Sequence, residues 1–351
     1  MTDTDAPATG APDPDQPGGA VALRRPRRRR WPRVLLAVAV LLVVAVGAAG
    51  VYAWRVDRSV TSNITRGIEL PGETPSGSGE SARPSSAPRE TGSLNYVLLG
   101  SDSRDPADDS EGRSDSLMVV HLDKARNKAY IVSFPRDMYV AIPGYGRNKI
   151  NAAYAYGGPP LTVRTLEDLT DVRMDHVVLV DFEGFIGLTD DLGGVTVTNK
   201  TAFSSHGFDY PKGKVTIAGA KALWFVRERH ALPGGDLDRA ANQRNVIKAI
   251  VAKGLSAGVI SNPARFTSFL GNLSKHLTVD NSLSDDEIRR TALSLRLEPS
   301  DIELLQAPLS GFGDVAGVGS VDLVDTTRMA ELAKALEDDD MAAYVKKYPE
   351  N

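Results

Sequence analysis

Three apolar stretches decide the fold: Leu94-Asn-Tyr-Val-Leu-Leu-Gly100, Ser116-Leu-Met-Val-Val-His-Leu122 and Lys128-Ala-Tyr-Ile-Val-Ser133. Each is short, apolar and bounded by polar or turn-forming residues, which is typical of a buried strand. The polar link from Asp123 to Asn127 is too short to hold a crossover helix, so the strands on either side of it should pair antiparallel. The three stretches therefore predict an antiparallel meander within the sheet.

Outward from the meander, toward the carboxyl terminus, the pattern alternates between helix and strand. We expect further strands at 176–181, 195–198 and 302–306. We expect helical segments at 159–169, 182–188, 239–255, 263–276, 284–295 and 326–336, and a short helix or a helix–strand piece at 218–225. Ser284-Asp-Asp-Glu287 resembles a capping box. Strands interleaved with helices predict an α/β fold whose mixed, partly antiparallel sheet is covered on both faces.

The amino-terminal region is typical of a membrane anchor. Residues 1–33 form an acidic, Pro- and Gly-rich tail that ends in a run with seven arginines, and we expect it to be disordered and cytoplasmic. Residues 34–54 are 21 uncharged residues, enough for one transmembrane helix. Arginine-rich segments next to a membrane helix stay on the cytoplasmic side, so the chain after residue 54 should be extracellular. A cleaved signal peptide is the alternative, but its apolar core is usually only about 7–15 residues long.

Residues 55–92 are rich in Pro, Gly and Ser and predict a flexible extracellular linker. The folded domain is then expected over residues 93–345. The chain has no cysteine, which excludes disulfides and thiolate metal sites. Its formal net charge of −4 argues against a nucleic-acid partner. None of the five histidines has a metal-ligand spacing.

The meander predicts where charged side chains should meet. Because the strands reverse direction, three polar stretches should lie at one edge of the sheet: 101–104, 113–116 and 134–137. Each brings charge to the end of an apolar strand. Aspartates and arginines converging there would suit a metal ion together with an anion. Taken singly, these aspartates could instead be turn residues.

A second charged cluster follows at residues 227–244. Arg227 and Arg229 alternate, so in an extended chain they would point to one side. Asp236 or Asp238 occupies the expected N-cap of the next helix, and Arg239 and Gln243 would share one helix face. Arginine forks match phosphate oxygens, which indicates a diphosphate site. Isolated, Arg227 and its neighbour Glu228 could equally be solvated ion pairs.

The order of these motifs resembles the LytR-CpsA-Psr family of membrane-anchored phosphotransferases in bacterial cell-wall assembly. The motifs are Gly100-Ser-Asp-Ser-Arg104, Arg113-Ser-Asp-Ser116, Ser133-Phe-Pro-Arg-Asp137, Lys149-Ile-Asn-Ala-Ala-Tyr154, Gly193-Gly-Val195, and Arg227-Glu-Arg229 with Asp236, Arg239 and Gln243. The resemblance implies a three-layer α-β-α sandwich with a groove for a polyprenyl chain. It also implies transfer of a glycopolymer, with its phosphate, from a polyprenyl-pyrophosphate carrier to a peptidoglycan hydroxyl, with Mg²⁺, releasing polyprenyl phosphate.

The resemblance also assigns roles by position. Asp102 and Asp115 match the magnesium ligands. The implied catalytic residues are Arg136, Arg227, Arg229, Arg239 and Asp236, and the implied substrate-binding residues are Arg104, Arg113, Lys149 and Gln243. Asp102 or Asp115 could accept the proton of the attacking hydroxyl. The chain departs from the family pattern at Asn242-Gln243-Arg244, where one arginine is missing or displaced and substrate preference could differ. It also departs at Trp224-Phe225, where we expect core packing.

Two other functions remain open at this point. The same site could hydrolyse polyprenyl pyrophosphate, with water in place of the peptidoglycan hydroxyl. The domain could also be a non-enzymatic regulator of the cell envelope or a polymer receptor. Covalent polymer on peptidoglycan would distinguish transfer from hydrolysis, and polymer binding that survives mutation of the arginines would indicate a receptor.

Overall fold

The computed structural model of the chain describes residues 63–73, 82–85, 92–101, 114–256, 259 and 262–349. The predicted tail (1–33), the predicted membrane helix (34–54) and three predicted site residues (Asp102, Arg104 and Arg113) lie outside these residues. Among the residues described, no helix is both long and apolar enough to cross a membrane.

The strands and helices follow one another in chain order along the described residues. The strands are β1 (Thr65–Ile68), β2 (Leu94–Ser101), β3 (Ser114–Leu122), β4 (Ala129–Ser133), β5 (Tyr139–Ile142), β6 (Gly146–Lys149), β7 (His176–Asp181), β8 (Val195–Asn199), β9 (Phe203–Ser205), β10 (Phe208–Tyr210), β11 (Gly213–Ile217), β12 (Thr278–Asp280), β13 (Ile302–Gln306), β14 (Leu309–Val315) and β15 (Gly319–Val324). The helices are α1 (Asn151–Thr170), α2 (Phe182–Asp191), α3 (Gly219–Arg227), α4 (Asp236–Gly254), α5 (Pro263–Ser274), α6 (Asp285–Ser294), α7 (Thr326–Glu337) and α8 (Met341–Lys347), and Pro299–Asp301 forms a 3₁₀ turn.

The central sheet is mixed, in agreement with the predicted α/β class. Its strand order is β1-β12-β7-β2-β3-β4-β13. The β2-β3-β4 meander is antiparallel, as predicted, and β7 and β13 flank it in parallel pairs with β2 and β4. Four small two-stranded sheets surround it: β5–β6, β8–β11, β9–β10 and β14–β15.

Alternate residues of the strands face two helical layers. Val97 and Leu99 pack in one apolar cluster with residues of α1, α7 and α8. Leu94 and Met118 face the other way, toward Ile247 and Val251 of α4. A separate cluster fills the space among α2, α3, α4 and the β8–β11 and β9–β10 sheets. The period-2 alternation of the strands therefore places helices on both faces of the sheet.

Strand register brings several strand ends to one edge of the sheet. Ser101, at the end of β2, pairs with Ser114 at the start of β3 and with Asp181 at the end of β7. Ser133, at the end of β4, pairs with Gln306 at the end of β13. The predicted meeting of the polar stretches at one edge is therefore seen in the backbone, and the chain after each of these strands supplies side chains to that edge.

The predicted linker needs correction, because part of residues 55–92 belongs to the folded domain. Thr65–Ile68 extends the sheet as β1, and Ile68 is buried in the core. Arg83 is also buried, and its guanidinium donates to both carboxylate oxygens of Glu167 and to the carbonyl of Met174. The low apolar content of this stretch concealed both contacts, since the strand pairing and the ion pair depend on residues far along the chain.

Most predicted elements are present with shifted ends. Helix α1 begins at Asn151 rather than at residue 159, with non-helical backbone at Gly157 and Gly158 ahead of two prolines. Helix α4 begins at Asp236 rather than at Arg239. The Ser284 side chain caps α6 as predicted, but the carboxylate of Glu287 reaches His176 instead of closing a capping box.

A buried histidine joins three elements at the far end of β7. The His176 side chain is fully buried, with Nδ1 at 3.1 Å from Asp280 Oδ2 and Nε2 at 3.2 Å from Glu287 Oε1. Burial opposes the charged form, but the two carboxylates outweigh it and raise the pKa of His176 above its ordinary value of 6.5. Protonated His176 therefore stabilises the folded state fully below about pH 6.5, and this contribution declines as the pH rises through its raised pKa.

We predict that the ion pairs of His176 contribute less to the unfolding free energy as the pH rises above 6.5. The His176→Gln variant should cost about 3 kcal/mol of unfolding free energy at pH 6, because two buried carboxylates lose their cation, and less at pH 9. Urea denaturation of the full-length protein at several pH values measures both. A His206→Gln variant, which changes an exposed ring, serves as the control. A wild-type pH slope that His176→Gln leaves unchanged would contradict this account.

Candidate functional site

Helix α4 begins at the charged edge of the sheet and directs Asp236 into it. Its N-cap is Gly235, whose φ of 56° lies in the left-handed region that favours glycine. Neither Asp236 nor Asp238 is the N-cap, so that prediction is wrong. Both lie in the first turn, and Asp238 accepts a hydrogen bond from the backbone of Gly234. The amino end of the helix favours carboxylates, which suits both side chains.

The carboxylate of Asp236 is shared by three arginines. Its Oδ1 lies 2.8 Å from Arg239 Nη2, 3.3 Å from Arg136 Nε and 4.0 Å from Arg229 Nη1. The side chain of Arg239 is 6% exposed and that of Arg229 is 41% exposed, so the group extends from the interior to the surface. The structure thus brings together four of the predicted catalytic residues. We call Arg136, Arg229, Asp236 and Arg239 the arginine site.

Lys149 joins the arginine site through Asp137. The Lys149 ammonium lies 2.8 Å from Asp137 Oδ1, and Asp137 Oδ2 lies 3.6 Å from Arg136 Nε. The backbone holds this arrangement, since the Asn151 amide donates to the carbonyl of Arg136 where α1 begins. Lys149 is therefore placed beside the predicted arginines, as its motif implied.

Asp322 is a charged residue of this region that sequence reasoning missed. It lies in β15, and its backbone amide donates to the carbonyl of Asp137. Burial, followed by repulsion from Asp137 and Asp236, raises the pKa of Asp322 to about 6, although Lys149 and Arg136 oppose the rise. No local sequence pattern marked this carboxyl group, because its charged neighbours lie far away along the chain.

Arg244 connects α4 to the end of strand β4. Its Nη1 donates a hydrogen bond to the Ser133 hydroxyl at the edge of the sheet. Burial lowers the pKa of Arg244 to about 10, which still leaves the guanidinium charged at neutral pH. Its only sequence signal was the departure at Asn242-Gln243-Arg244.

Arg227 lies at the end of helix α3 rather than in extended chain, so the predicted alternation with Arg229 is wrong. Its guanidinium carbon lies 4.3 Å from the ring centre of Phe182 and 5.3 Å from that of Trp224. Cation–π contacts hold it where α2 begins, directly after β7. Phe225 packs in the core as expected, whereas Trp224 is half-buried and also stacks on His206.

Gln243 and Glu228 hold the loop between α3 and α4. The Gln243 amide donates to the carbonyl of Val226, next to Arg227. Burial opposes ionisation of Glu228, but hydrogen bonds from Ser205 and from backbone amides in the loop outweigh it and lower its pKa. Gln243 therefore positions the end of α3, in addition to any contact with a ligand.

Guanidinium groups are concentrated in this region. The guanidinium groups of Arg136, Arg229 and Arg239 all lie within 4.0 Å of one carboxylate oxygen of Asp236. Such a set of guanidinium forks suits an anion with several oxygens, such as a diphosphate.

The predicted metal ligands lie largely outside the described residues. Asp102 follows Ser101 directly, and Asp115 lies in β3 between Ser114 and Ser116, although its side chain is not described. The described residues hold no cluster of three or more side chains suited to a metal ion. The register pair Ser101 and Ser114 brings the two chain segments to the same edge of the sheet.

A family model matches residues 70–338, which is most of the chain. The chain belongs to the LytR_cpsA_psr family. The family predicted from the motif order is confirmed, and the prediction of a transferase is confirmed through the family's named members.

The relatives include two proteins named polyisoprenyl-teichoic acid–peptidoglycan teichoic acid transferase TagU. One, from Bacillus cereus AH820, is 38% identical over 64% of this chain and 72% of its own, and the other, from Bacillus subtilis 168, is 33% identical over 74% and 83%. Among solved structures, B. subtilis TagV has a TM-score of 0.62 with 26% identity, covering 71% of this chain and 98% of its own. TagT bound to LIIa-WTA has a TM-score of 0.58 with 29% identity, covering 78% and 99%. These structures share the α/β fold with its mixed central sheet.

We predict that Asp236→Asn lowers the unfolding free energy by about 3 kcal/mol, because buried Arg239 loses an ion pair and the three arginines repel one another. Excess inorganic pyrophosphate should restore part of this loss by replacing the missing charge. Urea denaturation with and without pyrophosphate measures both effects.

The matched control for this test is Asp238→Asn. It removes the same charge from the same helix turn but keeps an oxygen for the Gly234 amide, so it should cost less than about 1 kcal/mol. Equal losses in the two variants, or no response of Asp236→Asn to pyrophosphate, would show that Asp236 does not hold the arginines together.

Proposed function

We propose that this protein transfers a glycopolymer, with its phosphate, from a polyprenyl-pyrophosphate carrier to a peptidoglycan hydroxyl and releases polyprenyl phosphate. Relatives named teichoic acid transferases, and TagT bound to LI-WTA and LIIa-WTA, support the transfer of a wall glycopolymer to peptidoglycan. The charged side chains of the site support the diphosphate carrier, the release of polyprenyl phosphate and the residue roles.

One observation carries the proposal: three arginines share the single carboxylate of Asp236. Three guanidinium groups held this close together form a dense patch of positive charge, which attracts an anion with several oxygens. The same side chains are pre-positioned by the ion pairs and by α4, so they need little rearrangement to bind phosphate oxygens. In the proposed reaction the anion is the diphosphate of the carrier. Negative charge builds up on the leaving phosphate as the bridging P–O bond of the diphosphate breaks.

The proposed reaction is a single displacement at phosphorus. The acceptor hydroxyl oxygen attacks the phosphorus nearer the polymer, a new P–O bond forms, and the bridging P–O bond of the diphosphate breaks. Polyprenyl phosphate leaves with the bonding electron pair, and Arg136, Arg229 and Arg239 stabilise its charge. The hydroxyl proton passes to a carboxylate. Asp322 suits that role better than a metal-binding aspartate, since its pKa of about 6 is close to neutral pH.

Apolar side chains beside Arg227 support a lipid carrier. Phe182 lies under the Arg227 guanidinium at the start of α2. Farther along α2, Phe185 is partly buried against the apolar cluster among α2, α3 and α4, and Phe269 of α5 contacts the same cluster. A polyprenyl chain leaving the diphosphate would meet apolar surface on this side of the arginine site.

Mg²⁺ fits the chemistry of the residues that would hold it. Asp102 and Asp115 provide the hard oxygen ligands that Mg²⁺ prefers, and each follows one member of the register pair Ser101 and Ser114. When bound, the ion would supply positive charge to phosphate oxygens.

We also propose that residues 34–54 anchor the chain in the cell membrane as a single pass, with the amino terminus cytoplasmic and the catalytic domain outside.

The function is tested by transfer from a purified lipid-linked donor to peptidoglycan, with the full-length protein in detergent. We predict that Arg227→Ala with Arg229→Ala lowers covalent polymer on peptidoglycan by at least about 100-fold, because both guanidinium groups face the diphosphate. The doubly Lys-substituted variant should recover part of the rate, since it keeps the charges but not the forks.

The matched control is Arg289→Ala with Arg290→Ala, which removes two arginines from α6 near the opposite end of β7. Arg289 is exposed and pairs with Asp286. This control should transfer polymer at the wild-type rate. The proposal is wrong if the Arg227 and Arg229 variant also keeps the wild-type rate, and phosphate release without polymer on peptidoglycan would instead identify a hydrolase.

We predict that Asp115→Asn weakens metal binding by at least about tenfold, because one of two carboxylate ligands is lost. Calorimetric titration of the full-length protein with Mg²⁺ and Mn²⁺ measures the affinity without any reaction. Asp123→Asn, in the turn between β3 and β4, is the control. Its oxygen accepts from the amides of Asn127 and Lys128, which an asparagine oxygen can also do. Unchanged affinity in Asp115→Asn removes the metal assignment.

A further inference from the structure

Two exposed tyrosines stack on each other beside the β5–β6 hairpin. The ring centres of Tyr145 and Tyr156 lie 4.7 Å apart with an angle of 19° between the planes. Tyr145 is 55% exposed and Tyr156 is 43% exposed. Exposed tyrosines combine an apolar ring with a polar hydroxyl, which suits them to bind a ligand that has both apolar and polar surface.

Hydrogen bonds fix the two rings before any ligand arrives. The Tyr145 hydroxyl donates to the backbone carbonyl of Tyr156 at 3.4 Å. The Asn148 amide donates to the Tyr156 hydroxyl at 2.9 Å, while its own oxygen accepts from the Lys149 amide. A surface that is ordered in advance binds without a large entropic cost.

A third ring and a guanidinium lie on the other face of the same hairpin, because side chains alternate along β6 and Asn148 points away from Arg147. There Arg147 lies 4.7 Å from the ring centre of Tyr139 and donates to the Tyr139 carbonyl. We call the stacked pair of Tyr145 and Tyr156 the tyrosine platform. The platform carries no charged side chain.

The tyrosine platform lies close along the chain to the arginine site. Asn148, which donates to the Tyr156 hydroxyl, directly precedes Lys149 in β6. Lys149 itself is ion-paired with Asp137. Lys149 is the fourth residue after Tyr145, which is on the order of 13 Å in extended chain. A chain molecule of a few rings could lie on the platform with one end near the diphosphate.

We propose that the tyrosine platform binds the acceptor glycan, a strand of N-acetylated amino sugars, and directs its hydroxyl to the arginine site. This inference rests on the proposed function. The C–H bonds of a pyranose face carry slight positive charge and pack on the negative faces of aromatic rings. The Tyr156 hydroxyl accepts from Asn148, so its own hydrogen can be donated to an N-acetyl carbonyl. Stacking on the two rings gives affinity for an extended chain without a deep pocket.

Charge decides between the two sugar chains that the reaction joins. The donor carries phosphates, and the site that matches them is the arginine site with its three guanidinium groups. The platform offers neutral rings, which suits an uncharged sugar backbone better than a polyanion. Its rings are open to solvent, so a long strand arriving from outside can lie across them.

The test begins with binding, because binding needs no donor and no transfer. The full-length protein in detergent is titrated with a soluble tetrasaccharide of β-1,4-linked N-acetylglucosamine, followed by NMR or calorimetry. We predict that Tyr145→Ala with Tyr156→Ala weakens this binding by at least tenfold. Replacing both residues by Phe should keep the affinity within about twofold, because the rings remain. Leu323→Ala, which trims another exposed apolar side chain, is the matched control.

The transfer assay then separates acceptor from donor. The doubly Ala-substituted variant should show a raised KM for soluble peptidoglycan strands, with an unchanged KM for the lipid-linked donor. The platform proposal is overturned if tetrasaccharide affinity is the same in wild type and variant, or if only the donor KM rises. If the wild type binds the sugar but transfers nothing, the proposed function fails while the platform stands.

Discussion

The charged edge of the sheet depends on one carboxylate that three guanidinium groups share. Asp236 draws together side chains from three separate parts of the chain, because Arg136 follows β4, Arg229 follows α3 and Arg239 belongs to α4 itself. Guanidinium groups this close repel one another, most strongly where burial excludes water. The carboxylate offsets that repulsion and fixes the geometry of the arginines. Together the guanidinium groups present several donors to an anion.

Strand register explains why such a group can form here. Strands β2, β4, β7 and β13 all end at the same edge, so the chain that follows each one begins close to the others. Helix α4 packs across the opposite face of the meander from α1, and Arg244 ties it to the end of β4. The rigid layers hold the backbone, while the short loops at their ends carry the charged side chains.

Local sequence patterns predicted much of this arrangement and missed what depends on distant residues. The meander was predictable because its short strands and its polar link are adjacent in the chain. Grouping Arg136 with Asp236 needed the strand-end argument together with the order of the family motifs. The sequence patterns did not predict strand β1, the buried Arg83 or Asp322, because each acquires its role from partners far along the chain. The β5–β6 hairpin was not predicted either, because short strands at the surface show only a weak alternation of apolar and polar residues.

Asp322 shows how the arginine site and the reaction are connected. Its carboxyl group is buried between neighbours of both signs, and its pKa of about 6 is a balance of burial and repulsion against the attraction of Arg136 and Lys149. Ionising such a group at neutral pH costs stability, because the unfolded chain ionises it more easily. A diphosphate bound to the same arginines would add negative charge nearby and raise that pKa further. A carboxylate that gains basicity when the donor binds is suited to take the proton of an incoming hydroxyl at that moment, and it gives that proton up as the charged leaving group departs.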